Sequence, residues 1–599
     1  MRFGRIGVIV GAMLGCWVGP SALADVRYEA EIKGVEDSAL ADLLDKVSEL
    51  KTLEDRRPAS EEALRRRAEA DLERLKEAAH SLGYWDAEFS YELTASADPV
   101  RVTVTAVPGP LYHVAAVNIL GPSGKPLPLP ADANAAPALK PGDPARTAPV
   151  IAEEDELLAA LGHAGHPFAK AAGRRVVIDR DKKTMTVSYT LDPGPVMRFG
   201  PATVTGLERL DPDYVKRRIH WKEGEAYDNR RVDETRKALV ESGLFSTVKI
   251  TPLKDPADPG HVWMDVDATE RAHRTIGAGL AYNTTQGAGA RLFWENRNLF
   301  GNAERLHLSL NVGQQLDSVE ATFRRPDFLV VDQDFVAGAE VANETPAAYR
   351  SRRARLSAGI ERRFDPTLRG GLSLTIEQAN VTQEADLGAI TASERTQRYG
   401  LVSLPLFLKF DGSDDLLNPT KGYRAQASLT PYQSFSGREL TFTYARLSGS
   451  AYRRLFDSDR YVLAAAAAVS SIEGATLLDL PADKRIYAGG GGSIRAYGYE
   501  MAGPLDIDKR PIGGKSSLEL SLEARIKITD TIGIVPFVDA GSYYETTLPQ
   551  LGRRLLWGPG LGLRYYTSFG PIRLDVATPM NRRRGDSPIQ VYISLGQAF

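Results

Sequence analysis

From about residue 272 to the last residue, Phe599, apolar and polar side chains alternate with a period of two. Leu306-His307-Leu308-Ser309-Leu310-Asn311-Val312 alternates strictly, and so does the run from Leu518 to Ile528. That period sends the apolar side chains to one face of a strand and the polar ones to the other. The polar face carries charge in mid-strand, at Glu519, Glu523, Arg525 and Lys527. A packed protein core rejects such charges. The hydrated lumen of a barrel in lipid accepts them, whereas a charge on the lipid face costs about 2–4 kcal/mol near the midplane. About sixteen strands can be counted, with starts near 274, 288, 304, 316, 332, 350, 368, 396, 421, 438, 459, 516, 532, 557, 571 and 588. An even count is the rule for single-chain bacterial barrels. The longest interruption, from about 473 to 515, contains four consecutive glycines and then Ser493-Ile494-Arg495-Ala496-Tyr497-Gly498-Tyr499.

Before residue 272 the period changes. Leu64, Leu72, Leu75 and Ala79 lie on one helical stripe. Helices are predicted near 37–49 and 60–82, flanked by strands near 26–33, 85–94 and 99–106. The same ending recurs at intervals of about 80 residues: Leu82-Gly83-Tyr84-Trp85, Ala164-Gly165-His166-Pro167-Phe168 and Ser242-Gly243-Leu244-Phe245. Each closes a helical pattern with glycine, which suits the left-handed position after a helix, and then continues through an aromatic residue into a strand. The second unit starts at Tyr112-His113-Val114, carries a proline-rich insert from Pro122 to Pro149 read as loop, and has strands near 168–178 and 183–191. The third starts near Met197, with helices near 211–219 and 230–242 and strands near 245–251 and 261–268. Pro108-Gly109-Pro110 and Pro193-Gly194-Pro195 punctuate the junctions.

Composition narrows the function classes. A formal charge of −3, from 74 basic and 77 acidic residues, gives no field for nucleic acid. The one cysteine, Cys16, rules out an internal disulfide framework. It lies in a predicted signal segment, residues 1–24, built from Arg2 and Arg5, an apolar stretch Ile6 to Val18, and Ala22-Leu23-Ala24 as cleavage site. No later run is long and apolar enough for a spanning helix. His163 and His166 lack a third ligand nearby in sequence and read as a surface turn. No nucleotide-, zinc- or serine-hydrolase motif is found. The expectation is therefore a non-enzyme without cofactor or metal.

The tandem β-α-α-β-β units resemble polypeptide-transport-associated (POTRA) domains. They are bounded as 25–108, 109–195 and 196–271, before a barrel at 272–599. A short three-stranded sheet has edges that can add an extended client strand. The last strand, with Ile589, Val591, Ile593 and Leu595 on one face and a terminal Phe599, resembles the recognition signal of outer-membrane barrels. Phe599 is expected in the interfacial aromatic girdle.

Further motifs extend the resemblance: Asn418-Pro419-Thr420-Lys421-Gly422-Tyr423, the glycine-rich loop with Arg495, Pro536-Phe537-Val538-Asp539-Ala540-Gly541, Gly558-Pro559-Gly560-Leu561-Gly562, and Gly570-Pro571-Ile572-Arg573-Leu574-Asp575. In this order they are similar to the BamA/TamA superfamily of outer-membrane insertases, and three POTRA-like units point to its TamA branch. The resemblance implies an outer-membrane barrel with periplasmic N-terminal domains. It also implies that the glycine-rich loop enters the barrel, where Arg495 and Tyr497 meet Phe537, Asp539 and Gly541. Ala496 departs from the family, whose arginine is usually followed by glycine. The resemblance further implies a lateral seam between the first strand (Ile276, Gly277, Gly279) and the last (Ile593, Leu595, Gly596, Phe599). Glycine there weakens pairing. The implied partners are unfolded outer-membrane clients of autotransporter type, outer-membrane lipid and a TamB-like inner-membrane protein that spans the periplasm. A two-partner secretion pore and a general barrel-assembly subunit remain alternatives, although two and five POTRA units are usual for them.

Overall fold

The computed structural model describes residues 26–96, 98–129, 138–283, 287–388, 395–456, 458–552, 555–568 and 570–599. The predicted signal segment and Cys16 lie outside the described residues. The first N-terminal unit runs β1 (Tyr28–Lys33), α1 (Ser38–Val47), α2 (Glu49–Thr52), α3 (Glu61–Ser81), β2 (Glu88–Thr94) and β3 (Val100–Val107). β3 lies between β1 and β2, parallel to the first and antiparallel to the second. The predicted stripe of α3 is the buried one, with Leu64, Ala68, Leu75 and Ala79 packed on Leu40, Leu44 and Val102. Asp71 shares that stripe and is buried because it has work there: it accepts from Ser48 Oγ (2.7 Å) and from the main-chain N–H of Glu49 (2.9 Å) and Leu50 (3.2 Å). It thereby satisfies the first turn of α2.

The second unit has β4 (His113–Leu120), α4 (Thr147–His163), β5 (Lys170–Asp179) and β6 (Thr184–Asp192), in sheet order β4-β6-β5. Among the described residues the insert before α4 has no helix. The third sheet, from β7 (Arg198–Thr205), β8 (Phe245–Lys254) and β9 (His261–Glu270), has order β7-β9-β8; the helices between are α5 (Pro212–Lys216) and α6 (Asn229–Glu241). The repeated glycine has one conformation throughout: Gly83, Gly165 and Gly243 have φ of 98°, 99° and 70°. Tyr84 N–H returns to Ala79 O (3.0 Å) and His166 N–H to Leu161 O (3.1 Å), the closing bonds that a left-handed residue permits.

The remaining strands form one antiparallel sheet. They are β10 (Arg274–Asn283), β11 (Gly287–Asn296), β12 (Arg305–Gly313), β13 (Leu316–Arg325), β14 (Gln333–Glu344), β15 (Tyr349–Arg363), β16 (Leu368–Gln383), β17 (Thr396–Ser403) and β18 (Leu406–Asp411). After them come β19 (Gly422–Ser436), β20 (Thr441–Leu455), β21 (Ser458–Glu473), β22 (Ser516–Lys527), β23 (Ile532–Tyr544), β24 (Leu556–Thr567), β25 (Gly570–Ala577) and β26 (Gln590–Leu595). The segments number seventeen, but β17 and β18 both pair with β16 on one side and β19 on the other. They are two halves of one stave interrupted at Leu404-Pro405, where proline has no N–H for a ladder. Among the described residues the staves therefore number sixteen.

Burial in this sheet is inverted relative to a soluble sandwich. Leu520 and Leu522 are exposed, while Glu523 and Arg525 on the opposite phase of the same strand are buried. Part of the chain itself fills the lumen. Residues 474–515 fold into it, and Leu480, Ile486, Ile494 and Tyr497 pack with Tyr349, Leu401, Phe442 and Tyr543 of the wall.

Glu270, at the end of β9, binds the loop between β7 and α5 and the His273 ring just before β10. It accepts from the main-chain N–H of Glu208, Arg209 and Leu210 (2.8, 2.9 and 2.8 Å) and from the His273 ring (2.7 Å). Burial pushes this carboxyl up, but the N–H groups of Arg209 and Leu210, His273 and Glu208 outweigh it and hold it at about 2. Its contribution to stability is present above the ordinary value of 4.5 and is lost as pH falls towards 2. Glu270→Gln should destabilise this junction at neutral pH and remove that part of the acid dependence. Hydrogen exchange of residues 204–218 against pH checks both outcomes.

Candidate functional site: a buried arginine in the barrel lumen

The site is assembled by period two. Ser521 and Glu523 of β22, Phe537 and Asp539 of β23, and Asp575 of β25 all point inward, and Ser521 lies opposite Asp539 in the β22–β23 ladder. The loop supplies Arg495. Its fold is tight: Ile486 and Gly514 exchange main-chain bonds (2.8 Å each), Ala502 N–H donates to Ala488 O (2.8 Å), and Gly490 N–H to Tyr497 O (3.0 Å).

Arg495 is 1% exposed and every arm of its guanidinium is engaged. Nε and Nη2 donate to the two oxygens of Asp539 at 2.8 Å each, a bidentate pair. Nη1 donates to Glu523 Oε1 (2.7 Å) and Asp575 Oδ2 (3.0 Å), and Nη2 also reaches Ser521 Oγ (3.2 Å). The Arg495 main-chain N–H adds a bond to Asp539 Oδ2 (3.0 Å). The Phe537 ring lies 3.4 Å below the guanidinium carbon. Around this centre, Arg564 pairs with Asp575 (2.5 Å) and Arg525 with Glu523 (3.0 Å). Arg573 donates to Gly491 O of the loop (3.1 Å). Four guanidiniums and three carboxylates thus share one buried patch. An ion pair survives such burial only when its remaining donors and acceptors are also satisfied.

The predicted residues are brought together here. Tyr497 is buried, its carbonyl accepts from Tyr592 OH (3.1 Å), and Arg583 lies over its ring (5.5 Å). Gly541 is needed for space: a Cβ there would lie 2.1 Å from Leu518 O and 2.9 Å from Ile494 Cδ1. Ala496 has a structural counterpart. A Cβ on Gly558 would sit 2.3 Å from the Ala496 Cβ, so the wall lacks a methyl group where the loop carries one.

Sequence reasoning missed two things. Glu523 was recognised as lumenal but not as a partner of Arg495, and Asp575 and Arg564 were not assigned to the pair. The signal lay in the inward phase of the four neighbouring strands β22 to β25. A second anchor on the opposite wall was also missed. Asp483 accepts from Tyr399 OH (2.6 Å) and Ser351 Oγ (3.2 Å), Lys484 pairs with Glu377, and Arg485 donates to Gln383 (2.8 Å).

Of the seam residues, Phe599 sits differently from expectation. Ile276 of β10 and Ile593 and Leu595 of β26 are exposed on the outer face. Gly277 is covered by the Phe293 ring, 2.2 Å from where a Cβ would stand, so its reason is space as much as weak pairing; Gly279 has nothing near it. Gly596 follows the end of β26 with φ 85°. There the chain turns inward: Gln597 bonds Leu417 O (3.2 Å) and Asn418 Oδ1 (2.9 Å). Phe599 is consequently not in an interfacial girdle. Its ring lies 5.3 Å from the Arg525 guanidinium and 6.4 Å from the Tyr452 ring, because the turn at Gly596 removes it from the outer face.

The Omp85 superfamily domain matches residues 298–599, just over half of the chain. The chain belongs to the Omp85 superfamily. Residues 29–108 match the POTRA domain TamA domain 1. Relatives of this Omp85 chain include outer membrane protein assembly factor BamA of Neisseria meningitidis serogroup B, 20% identical over 88% of this chain and 72% of that protein. The BamA of Neorickettsia risticii is 21% identical over 74% of this chain and 60% of that protein. The crystal structure of BamA from Haemophilus ducreyi lacking POTRA domains 1–3 shares the fold, with TM-score 0.66, 19% identity and coverage of 80% of this chain and 99% of that one. The Omp85 protein described here is accordingly an outer-membrane β-barrel with N-terminal POTRA domains in the periplasm.

Arg495→Ala leaves Asp539, Glu523 and Asp575 facing one another without their shared cation. Breaking a buried pair from one side costs about 3–5 kcal/mol. The expected outcome is a released loop, read as new protease cleavage within 474–515 and a lower unfolding temperature of the barrel. Gly558→Ala should also unseat the loop. Pairing it with Ala496→Gly should restore only part of the loss, because Thr578 O still stands 2.2 Å from the new methyl group. Thermal unfolding of the three variants distinguishes these cases.

Proposed function

We propose that this outer-membrane Omp85 protein inserts or translocates β-rich client proteins, of autotransporter type, through the seam between β10 and β26. The observation that carries this reading is the open sheet. β10 and β26 come within 8 Å of each other, yet no ladder joins them among the described residues. A sheet edge can add an extended strand through main-chain hydrogen bonds. β26 has only six residues before the inward turn at Gly596, which leaves much of the ten-residue β10 free for a client. In this reading Arg495, with Phe537, Asp539, Gly541 and Tyr497, holds the loop against the wall beside the seam. The barrel then keeps its shape while that edge opens.

The match of residues 29–108 to a TamA-type domain favours a TamB-like periplasm-spanning partner at the N-terminal end. The N-terminal sheets also have free edges. β5 is exposed along almost its whole length, Val176 and Val177 included, and so can take up a client strand.

The seam is tested with pairs of cysteines, one within 274–280 and one within 590–595. The chain's one native cysteine lies in the predicted signal segment, so the background is clean. Oxidised protein should lose client insertion into proteoliposomes and regain it on reduction. Full activity in a cross-linked seam removes the lateral mechanism.

A further inference from the structure

The outer face of β13–β17 carries a cationic row that the seam and the lumenal site do not use. Its level in the membrane follows from chain direction. β10 begins where the periplasmic domains end, so the turns after β11, β13 and β15 are periplasmic. Asp211 N–H donates to Gly301 O in the first of these turns (2.8 Å), and Arg218 pairs with Asp327 in the second (2.5 Å). The opposite strand ends are therefore extracellular. Near them the ladders set Asp317 beside Asn343, Asn343 beside Arg352, Arg352 beside Asn380, and Asn380 beside Arg398.

Alternation puts this row outside the barrel. The inward residues next to it are Ser351, Arg353, Ala379 and Tyr399, of which Arg353 is paired with Glu340 and Glu344. Arg352 and Arg398 are exposed and make no ion pair among the described residues. Arg350, nearer the strand end, is held by Glu384 (2.8 Å), and Asp317 accepts from Gly313 N–H (3.2 Å). Two free guanidiniums remain. They flank Asn380 from the two neighbouring strands, about 10 Å apart at ordinary strand spacing. Towards the midplane the same face turns apolar, with Val341, Leu356 and Ile376 exposed.

We propose that Arg352 and Arg398 form a binding site for the phosphorylated headgroup of an outer-leaflet glycolipid, with Asn380 between them and the acyl chains lying along the apolar face below. The level fits. A cation on the lipid face is disfavoured at the midplane and tolerated near the interface, where headgroups begin. The chemistry fits as well. A guanidinium offers a planar fork of donors to phosphate oxygens, and a neighbouring amide adds donors without charge. Two cations one headgroup apart over an apolar strip match an amphiphile with phosphate above and hydrocarbon below.

The test uses the full-length protein in detergent and two probes, lipid A with two phosphates and the same lipid dephosphorylated, with retention read by native mass spectrometry. The intact protein should retain the phosphorylated lipid at least tenfold better. Arg352→Gln with Arg398→Gln should bring retention down to the dephosphorylated level. Arg350→Gln, already neutralised by Glu384, should leave it unchanged, and excess inorganic phosphate should not displace the lipid. Equal retention of both lipids by the intact protein overturns the proposal without any variant. Undiminished binding by the double variant overturns it too, as does displacement by inorganic phosphate. A double variant that keeps the lipid but fails to assemble clients assigns the face to a protein instead.

Discussion

A guanidinium removed from water must find partners for all of its donors, and in this barrel Arg495 finds them on three different strands. Asp539 takes two of its N–H groups side by side, Glu523 and Asp575 share a third, and Ser521 completes the set. Much of the interior is arranged around that demand. Glycine at 541 and 558 lets the loop approach the wall closely, Phe537 offers a ring face, and Arg564 and Arg525 balance the carboxylates that Arg495 alone would leave in excess. Removing any one charge leaves the others buried and uncompensated, so the group acts as a unit.

The loop is fastened at two points along its path, to two parts of the wall. Arg495 ties it to the wall of β22–β25, while Asp483, Lys484 and Arg485 tie it to β15–β17. An apolar cluster fills the space between. Among the described residues no ladder joins the first and last strands of the sheet, so the seam lacks that source of rigidity there. A brace across the lumen supplies another. This division suits a barrel that opens along one line: stiffness comes from the interior, and freedom is left at β10 and β26.

The same alternation that builds the lumen also shapes the outer surface. Most outward positions are apolar, which is why Leu520, Leu522, Ile593 and Leu595 are exposed. The exceptions at Arg352 and Arg398 stand near the strand ends, where the surrounding lipid changes from hydrocarbon to headgroup. The charges around Arg495 are paired within the chain, whereas Arg352 and Arg398 on this outer row make no ion pair among the described residues.

Period two was enough to reveal the strands, their inward faces and the barrel, because each strand repeats one physical rule over its whole length. The helix-ending glycines were enough to reveal three tandem N-terminal units, because Gly83, Gly165 and Gly243 answer the same steric need. The motifs also pointed to Arg495 and Asp539 as a pair. Sequence could not say that Glu523 and Asp575 join them, since the register between β22, β23 and β25 and the depth of the loop are set by packing. Nor could it place Phe599, whose position depends on the turn at Gly596 and on Leu417, Asn418 and Arg525 far away in the chain. Ala496 looked like a departure in one dimension and found its counterpart, Gly558, only in three. Local rules act between neighbours in sequence and can be read along the chain, whereas partners chosen by closure of the sheet exist only once the sheet has formed.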